Sequence, residues 1–265
     1  MHRYLEQALR VSRRLLDNYA DIHEPEEKIM ADSQAFWNGL SNHGHDGGPA
    51  HWRGQSIFTD DERWMSLGRN SLRIFSQLAG DDWLQCKPRR IVDWGCGGGS
   101  CAVHFAPGAA RYYGVDITPA SLQECERQTQ ALGLHNFVPV LFAVSDPEQV
   151  AALIPETCDL VLSTYVFELL PSKDYGRRIL RVIENLLEAD GLAFIQIKYG
   201  TNKLNSRAYR WGYAKNMGNM TTYLIDEFWE LAKECGLQPH LVYLEPVEPL
   251  INDHNFAYFL LRKHA

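Results

Sequence analysis

The chain has 265 residues, 45% of them hydrophobic and 22% charged, enough apolar material for one large core plus a small addition. A formal charge of −7 argues against a polyanionic partner, because non-specific nucleic-acid affinity draws on clustered lysine and arginine. No apolar run reaches the ~18 residues of a membrane span and nothing resembles a signal peptide, so a cytoplasmic protein with neither a membrane nor a nucleic-acid partner is expected. The six cysteines, at 86, 96, 101, 125, 158 and 235, form no C-x-x-C pair and read as reduced, packed thiols.

In chain order, Leu5, Leu15, Leu16 and Tyr19 mark an amphipathic helix. The stretch Phe36 to Arg53 is rich in glycine, histidine and tryptophan and reads as a lid, with Trp37 and Trp52 as candidate pocket residues. Thr59-Asp60-Asp61-Glu62 is a capping box opening a helix with Trp64, Leu67, Leu72, Phe75 and Leu78 inward. The chain divides near Gln85 to Pro88, which predicts a helical N-terminal cap over 1–85 and a main domain over 86–265. Downstream, apolar runs alternate with helical periodicities, the pattern of a doubly wound α/β sheet.

The first run, Ile91-Val92-Asp93-Trp94, turns into the loop Gly95-Cys96-Gly97-Gly98-Gly99-Ser100, where backbone can approach a ligand and a following helix can present free N–H groups. A pyrophosphate turn would read G-x-G-x-x-G, but its third glycine falls at Ser100. The spacing is D-x-G-x-G-x-G, and the carboxylate before the loop suits a ligand with a positive end. Arg111 to Asp116 is a second strand, ending in a carboxylate able to accept from both hydroxyls of a ribose. A nucleoside is therefore implied. Thr118-Pro119 starts a helix to about Leu132, stopped by Gly133. Further runs follow at Phe137–Val144 and Cys158–Glu168, then a helix carrying Tyr175, Ile179, Val182 and Leu186 and a strand at Leu192–Ile197. An insertion at about 199–221 precedes a helix with Phe228, Leu231, Ala232 and Cys235. Strands at Leu241–Glu245 and Phe256–Leu261 close the chain.

From about Pro88 onward these motifs resemble the class I S-adenosylmethionine-dependent methyltransferases of small-molecule type. The resemblance implies a Rossmann-like sheet of seven strands, the last antiparallel, with S-adenosyl-L-methionine as cofactor and S-adenosyl-L-homocysteine as product. It implies that Asp93, Gly95, Cys96, Gly97 and Gly98 hold the methionine part, that Asp116 binds the ribose and Ile117 walls the adenine. Ser145 and Asp146 would contact the adenine amino group, and Ser163 and Thr164 would end the strand that faces cofactor and acceptor. No Asn-Pro-Pro-aromatic motif follows that strand; Ser163-Thr164-Tyr165-Val166 stands there, which lowers the case for methylating nucleobase or glutamine amines.

Methyl transfer is an in-line displacement that gains from a dry, aligned pocket. Tyr165, Phe167 and Tyr199 lie at predicted carboxyl ends of strands, where open α/β sheets bind ligands, and Glu168, Tyr209, Trp211 and Tyr213 complete the candidate pocket. Glu168 alternatively caps the helix starting near Ser172, Lys198 snorkels or touches a ligand, and Tyr209, Trp211 and Tyr213 alternatively pack. A hydroxyl acceptor needs a base, and His51, His43, His45 and His254 are the candidates. His43-Gly44-His45-Asp46 reads as a hydrated polar loop rather than a metal site, so no metal is expected. The expected function is methyl transfer to a small molecule, foremost a hydroxyl of a sugar or natural-product intermediate in biosynthesis, with N- or C-methylation beside it. A non-catalytic cofactor-binding protein and an NAD-dependent oxidoreductase are the readings from other classes. A homodimer is the candidate assembly.

Overall fold

The computed structural model describes residues 2–42, 60–87 and 89–263. Strand β1 (Arg89–Trp94) sends Ile91 and Val92 to opposite faces, both fully buried, as a strand covered on two sides must. The same alternation runs through β2 (Ala109–Asp116), β4 (Cys158–Ser163) and β5 (Leu187–Lys198). With β3 (Phe137–Leu141), β6 (Leu237–Glu248) and β7 (Asp253–Lys263) they form one seven-stranded sheet in the order β3-β2-β1-β4-β5-β7-β6. Strands β1 to β5 pair in parallel, and β7 lies antiparallel between β5 and β6, the arrangement expected for the last strand. Pro139, which lacks a donor, falls in β3 at the sheet edge, where that loss is tolerated.

Nine α-helices occur among the described residues: α1 (His2–Ala20), α2 (Glu26–Asn42), α3 (Asp61–Ala79), α4 (Ala102–Phe105), α5 (Pro119–Ala131), α6 (Val150–Leu153), α7 (Lys173–Leu186), α8 (Tyr213–Asn216) and α9 (Ile225–Glu234). One face of the sheet is covered by Ile74 and Phe75 of α3, Phe105 of α4 and Leu122 of α5. The other is covered by Ile179, Ile183 and Leu186 of α7 and Phe228 and Leu231 of α9. Helix α3 thus packs on the sheet instead of standing apart from it with α1 and α2. Its cap is Asp60, whose carboxylate accepts the Glu62 N–H at 2.8 Å; Thr59 lies outside the described residues.

Helix α1 turns its polar stripe, not its apolar one, toward the rest of the protein. Leu5, Leu15, Leu16 and Tyr19 are 41–69% exposed, whereas Arg14 and Asp17 are buried. Its polar stripe docks on the segment after β5: the Arg14 guanidinium donates to Asn205 O, the Asn18 amide to Ala208 O, and Asp17 accepts from the Arg210 N–H and guanidinium. Helix α2 sits on that segment through Ile29, Tyr213 and Met220. All six cysteines are unpaired, and only Cys86 is exposed. No helix among the described residues is long and apolar enough to cross a membrane.

Candidate active site

Strand order reverses between β1 and β4, and the segments leaving the carboxyl ends of these two strands border a cavity of about 600 Å³. Asp93, on β1, is 2% exposed and accepts a 2.6 Å hydrogen bond from the Tyr112 hydroxyl. Burial pushes its carboxyl up to about 7; the Tyr112 bond opposes this and the charge of Asp116 adds to it. At Gly97 φ is +51° and a Cβ would meet nothing within 4 Å, so the loop presents bare backbone to the cavity. The Gly97 N–H donates to Asp116 Oδ2 at 3.0 Å, tying the loop to the end of β2. Asp116 Oδ1 accepts from the Thr118 N–H and hydroxyl, and burial raises this carboxyl too, against those bonds. Helix α4, which follows the loop, is only four residues long, so glycine backbone and two carboxylates, rather than a helix terminus, make this side of the cavity.

Beyond β4 the chain brings Thr164, Tyr165, Val166 and Glu168 to the wall. Tyr165 adopts φ +59°, a conformation seldom taken by L side chains. Its N–H donates to Gln196 Oε1, and its hydroxyl sits 3.3 Å from Glu248 and 3.2 Å from the Tyr258 hydroxyl. Glu168 is 4% exposed, and burial pushes its carboxyl up to about 7. Its Oε2 forms no well-aligned hydrogen bond among the described residues; the Gln196 amide, whose Nε2 is likewise unsatisfied, interacts with the carboxyl only weakly and opposes the effect of burial. Asp253, at the start of β7, reaches the wall while both its carboxylate oxygens lie 2.7 Å from Lys198 Nζ, which also donates to Gly218 O. Trp37 of α2 donates its indole N–H to the Tyr213 hydroxyl at 3.0 Å, and Trp64 and Leu67 of α3 add apolar surface. Two buried carboxylates beside bare backbone suit a nucleoside with a cationic end; the apolar remainder suits a second, less polar molecule.

Residues 92–195 match the methyltransferase domain family. Over that stretch the core is similar to a methyltransferase domain. The chain is 28% identical over 130 residues to a ubiquinone biosynthesis O-methyltransferase of Neisseria meningitidis serogroup C, 49% of this chain and 50% of that one. The chain spans about half the length of the curated relatives it matches. Its fold is similar to the 1,6-didemethyltoxoflavin-N1-methyltransferase of Burkholderia thailandensis, with TM-score 0.63, 18% identity and 92% of each chain covered. It is also similar to the magnesium protoporphyrin IX methyltransferase of Synechocystis PCC 6803, with TM-score 0.57, 14% identity, and 90% of this chain and 97% of that one covered.

In the chain, Trp37, Asp93, Gly95, Cys96, Gly97, Asp116, Ile117, Thr164, Tyr165 and Glu168 all line the one cavity. Other expected residues lie elsewhere. Gly98 is buried off the wall. Strand β3 ends at Leu141, leaving Ser145 and Asp146 exposed in the turn beyond it, and Phe142 and Val144 line the cavity in their place. Ser163 is fully buried and donates to Trp94 O. Phe167 points into the core, its ring 5.7 Å from that of Phe228. Tyr199 bridges to Tyr223 beside that core, Tyr209 lies beneath Arg10 and Arg14, and Trp211 beneath Arg13. Lys198 is 5% exposed and ion-paired, so it does not snorkel; Ser172, not Glu168, caps α7. His254 is exposed on β7 and off the wall, while His43, His45, His51 and Trp52 lie outside the described residues. Tyr213, expected with Tyr209 and Trp211 as a wall of the acceptor pocket, lines the cavity where they do not, and Trp64, Leu67 and Asp253 line it without being expected there. Helical periodicity marks Trp64 and Leu67 as inward, but that signal is the same for a core wall and a pocket wall.

Proposed function

We propose that the chain transfers a methyl group from S-adenosylmethionine to a small natural-product intermediate, at a hydroxyl, with the acceptor seated among Trp37, Tyr213 and Glu168. The observation that carries this is one cavity joining Asp93, the open backbone at Gly97 and Asp116 to an apolar acceptor space. The residues fit the cofactor: Asp93 is a buried carboxyl short of counter-charge, which a cationic amino end relieves, and Asp116 offers a carboxylate to ribose hydroxyls. When bound, the cofactor supplies an electrophilic methyl carbon on a positively charged sulfur. The protein orients it from Asp93 and Asp116 and keeps water out with the apolar wall. That wall supports a flat, largely apolar acceptor over a sugar, whose hydroxyls would need more partners.

The Neisseria relative is named for an O-methylation, which supports oxygen. The Burkholderia protein is named for an N1-methylation, which keeps nitrogen as the second reading. Calorimetry with S-adenosylhomocysteine and with NAD, followed by a metabolite screen for the mass gain of one methyl, tests the proposal. Binding of the first ligand alone is expected, with Asp116→Ala weakening it at least ~10-fold through loss of charge-assisted hydrogen bonds. Binding of NAD instead would establish the redox reading, and cofactor binding without turnover on any acceptor would establish a non-catalytic role.

A further inference from the structure

We propose that Glu168 binds and deprotonates the methyl acceptor, and that the acceptor is an uncharged flat ring bearing an O–H or N–H. This rests on the methyltransferase reading above and names the acceptor side of the same site. Glu168 belongs to the single turn Phe167–Leu169 that follows β4; the residue lines the cavity, is nearly fully buried, and its Oε2 forms no well-aligned hydrogen bond among the described residues, the Gln196 amide being its weak neighbour. A buried acceptor atom left unpaired is costly, and a donor arriving with the ligand removes that cost.

The surroundings define that donor. Lys198 of β5, Asp253 of β7 and Tyr213 of α8 are the titratable groups acting on Glu168, with the Gln196 amide beside it. Lys198 bonds both oxygens of Asp253, so this pair is self-neutralised and leaves Glu168 no dedicated counter-ion. No lysine, arginine or histidine lines the cavity among the described residues, so a carboxylated or phosphorylated acceptor finds carboxylates and no cation there. Trp37, Trp64, Leu67, Met217 and Ile251 supply flat and apolar surface for a ring. As the acceptor oxygen or nitrogen bonds the methyl carbon, the carbon–sulfur electron pair leaves with sulfur and the acceptor's proton passes to the Glu168 carboxylate. A carboxyl held near neutrality by burial suits that exchange.

The test uses protein saturated with S-adenosylhomocysteine and two fluorescent probes: β-naphthol, and the hydroxynaphthoate made by adding a carboxyl to its far ring. β-Naphthol is expected to bind at least ~10-fold more tightly, with affinity rising as pH climbs through about 7, where Glu168 becomes a charged acceptor. In Glu168→Gln that rise should vanish while S-adenosylhomocysteine still binds. Equal or tighter binding of the naphthoate, no binding of β-naphthol, or a pH rise that persists in Glu168→Gln would overturn the assignment. Should the variant fail to fold, probe selectivity and the pH rise in the native protein decide. A native protein that does not bind S-adenosylhomocysteine would instead overturn the methyltransferase reading itself.

Discussion

Asp93 is a carboxyl whose charge at neutral and lower pH is suppressed by its own burial, and a cationic neighbour would favour the charged form. Two opposite pH effects follow. A carboxyl pKa raised by folding contributes stability that is present below about 3.9 and lost as pH rises through about 7, so the free protein should melt lower as pH increases over this window. Cofactor binding needs the carboxylate, so affinity for S-adenosylhomocysteine should climb with pH, by roughly tenfold per unit below 7, and level off above it. Calorimetry across that range checks the second effect. A flat profile in the native protein, or an unchanged slope in Asp93→Asn, would remove Asp93 from the site.

Helix α3 ties the site to the sheet. The Gly68 N–H donates to Ser100 Oγ at 2.9 Å, and that hydroxyl donates to Trp64 O at 3.0 Å, so α3 and the glycine loop share one hydroxyl. A Cβ at Gly68 would lie 1.8 Å from Ser100 O. Alanine ordinarily favours a helix over glycine by about 1 kcal/mol, but here Gly68→Ala must push α3 off the loop, with a net loss of about 2 kcal/mol expected. Urea unfolding measures it, and S-adenosylhomocysteine affinity should fall together with stability. A Gly68→Ala protein as stable as the native one would show that the two elements do not depend on this contact.

Across the whole molecule, site and scaffold electrostatics sit at opposite ends of the parallel strands. At the amino ends of β1 and β4, buried Asp159 accepts from the Arg90 N–H and guanidinium and lies within reach of Lys87 and Arg89. Burial works to raise the Asp159 pKa, but these hydrogen bonds prevail and hold its carboxyl below the usual range. The sign is therefore opposite to that of Asp93. This stability is present above about pH 3.9 and is lost as pH falls through the lowered native value. Asp159→Ala should cost about 3 kcal/mol by stranding buried Arg89, and should leave cofactor affinity unchanged. A matching loss of affinity in that variant would show that the two ends are coupled.

The sheet and the cofactor side of the cavity were legible in the chain itself. The proposed roles of Asp93, the glycines and Asp116 rest on backbone freedom and a carboxylate at a strand end, and both are properties of a short local segment. The acceptor side was legible only in part: Trp37, Tyr165, Glu168 and Tyr213 could be named from the chain, whereas Trp64 and Asp253 come from separate elements, and only packing decides which aromatic walls a cavity and which, like Phe167 or Tyr209, fills a core. The same reason sets which face of α1 docks: the chain shows an amphipathic helix, but the partner that folding brings to it is a polar segment, and Arg14 and Asp17 dock there. Local geometry is written in neighbouring residues; which face meets which is settled only when distant surfaces compete for burial.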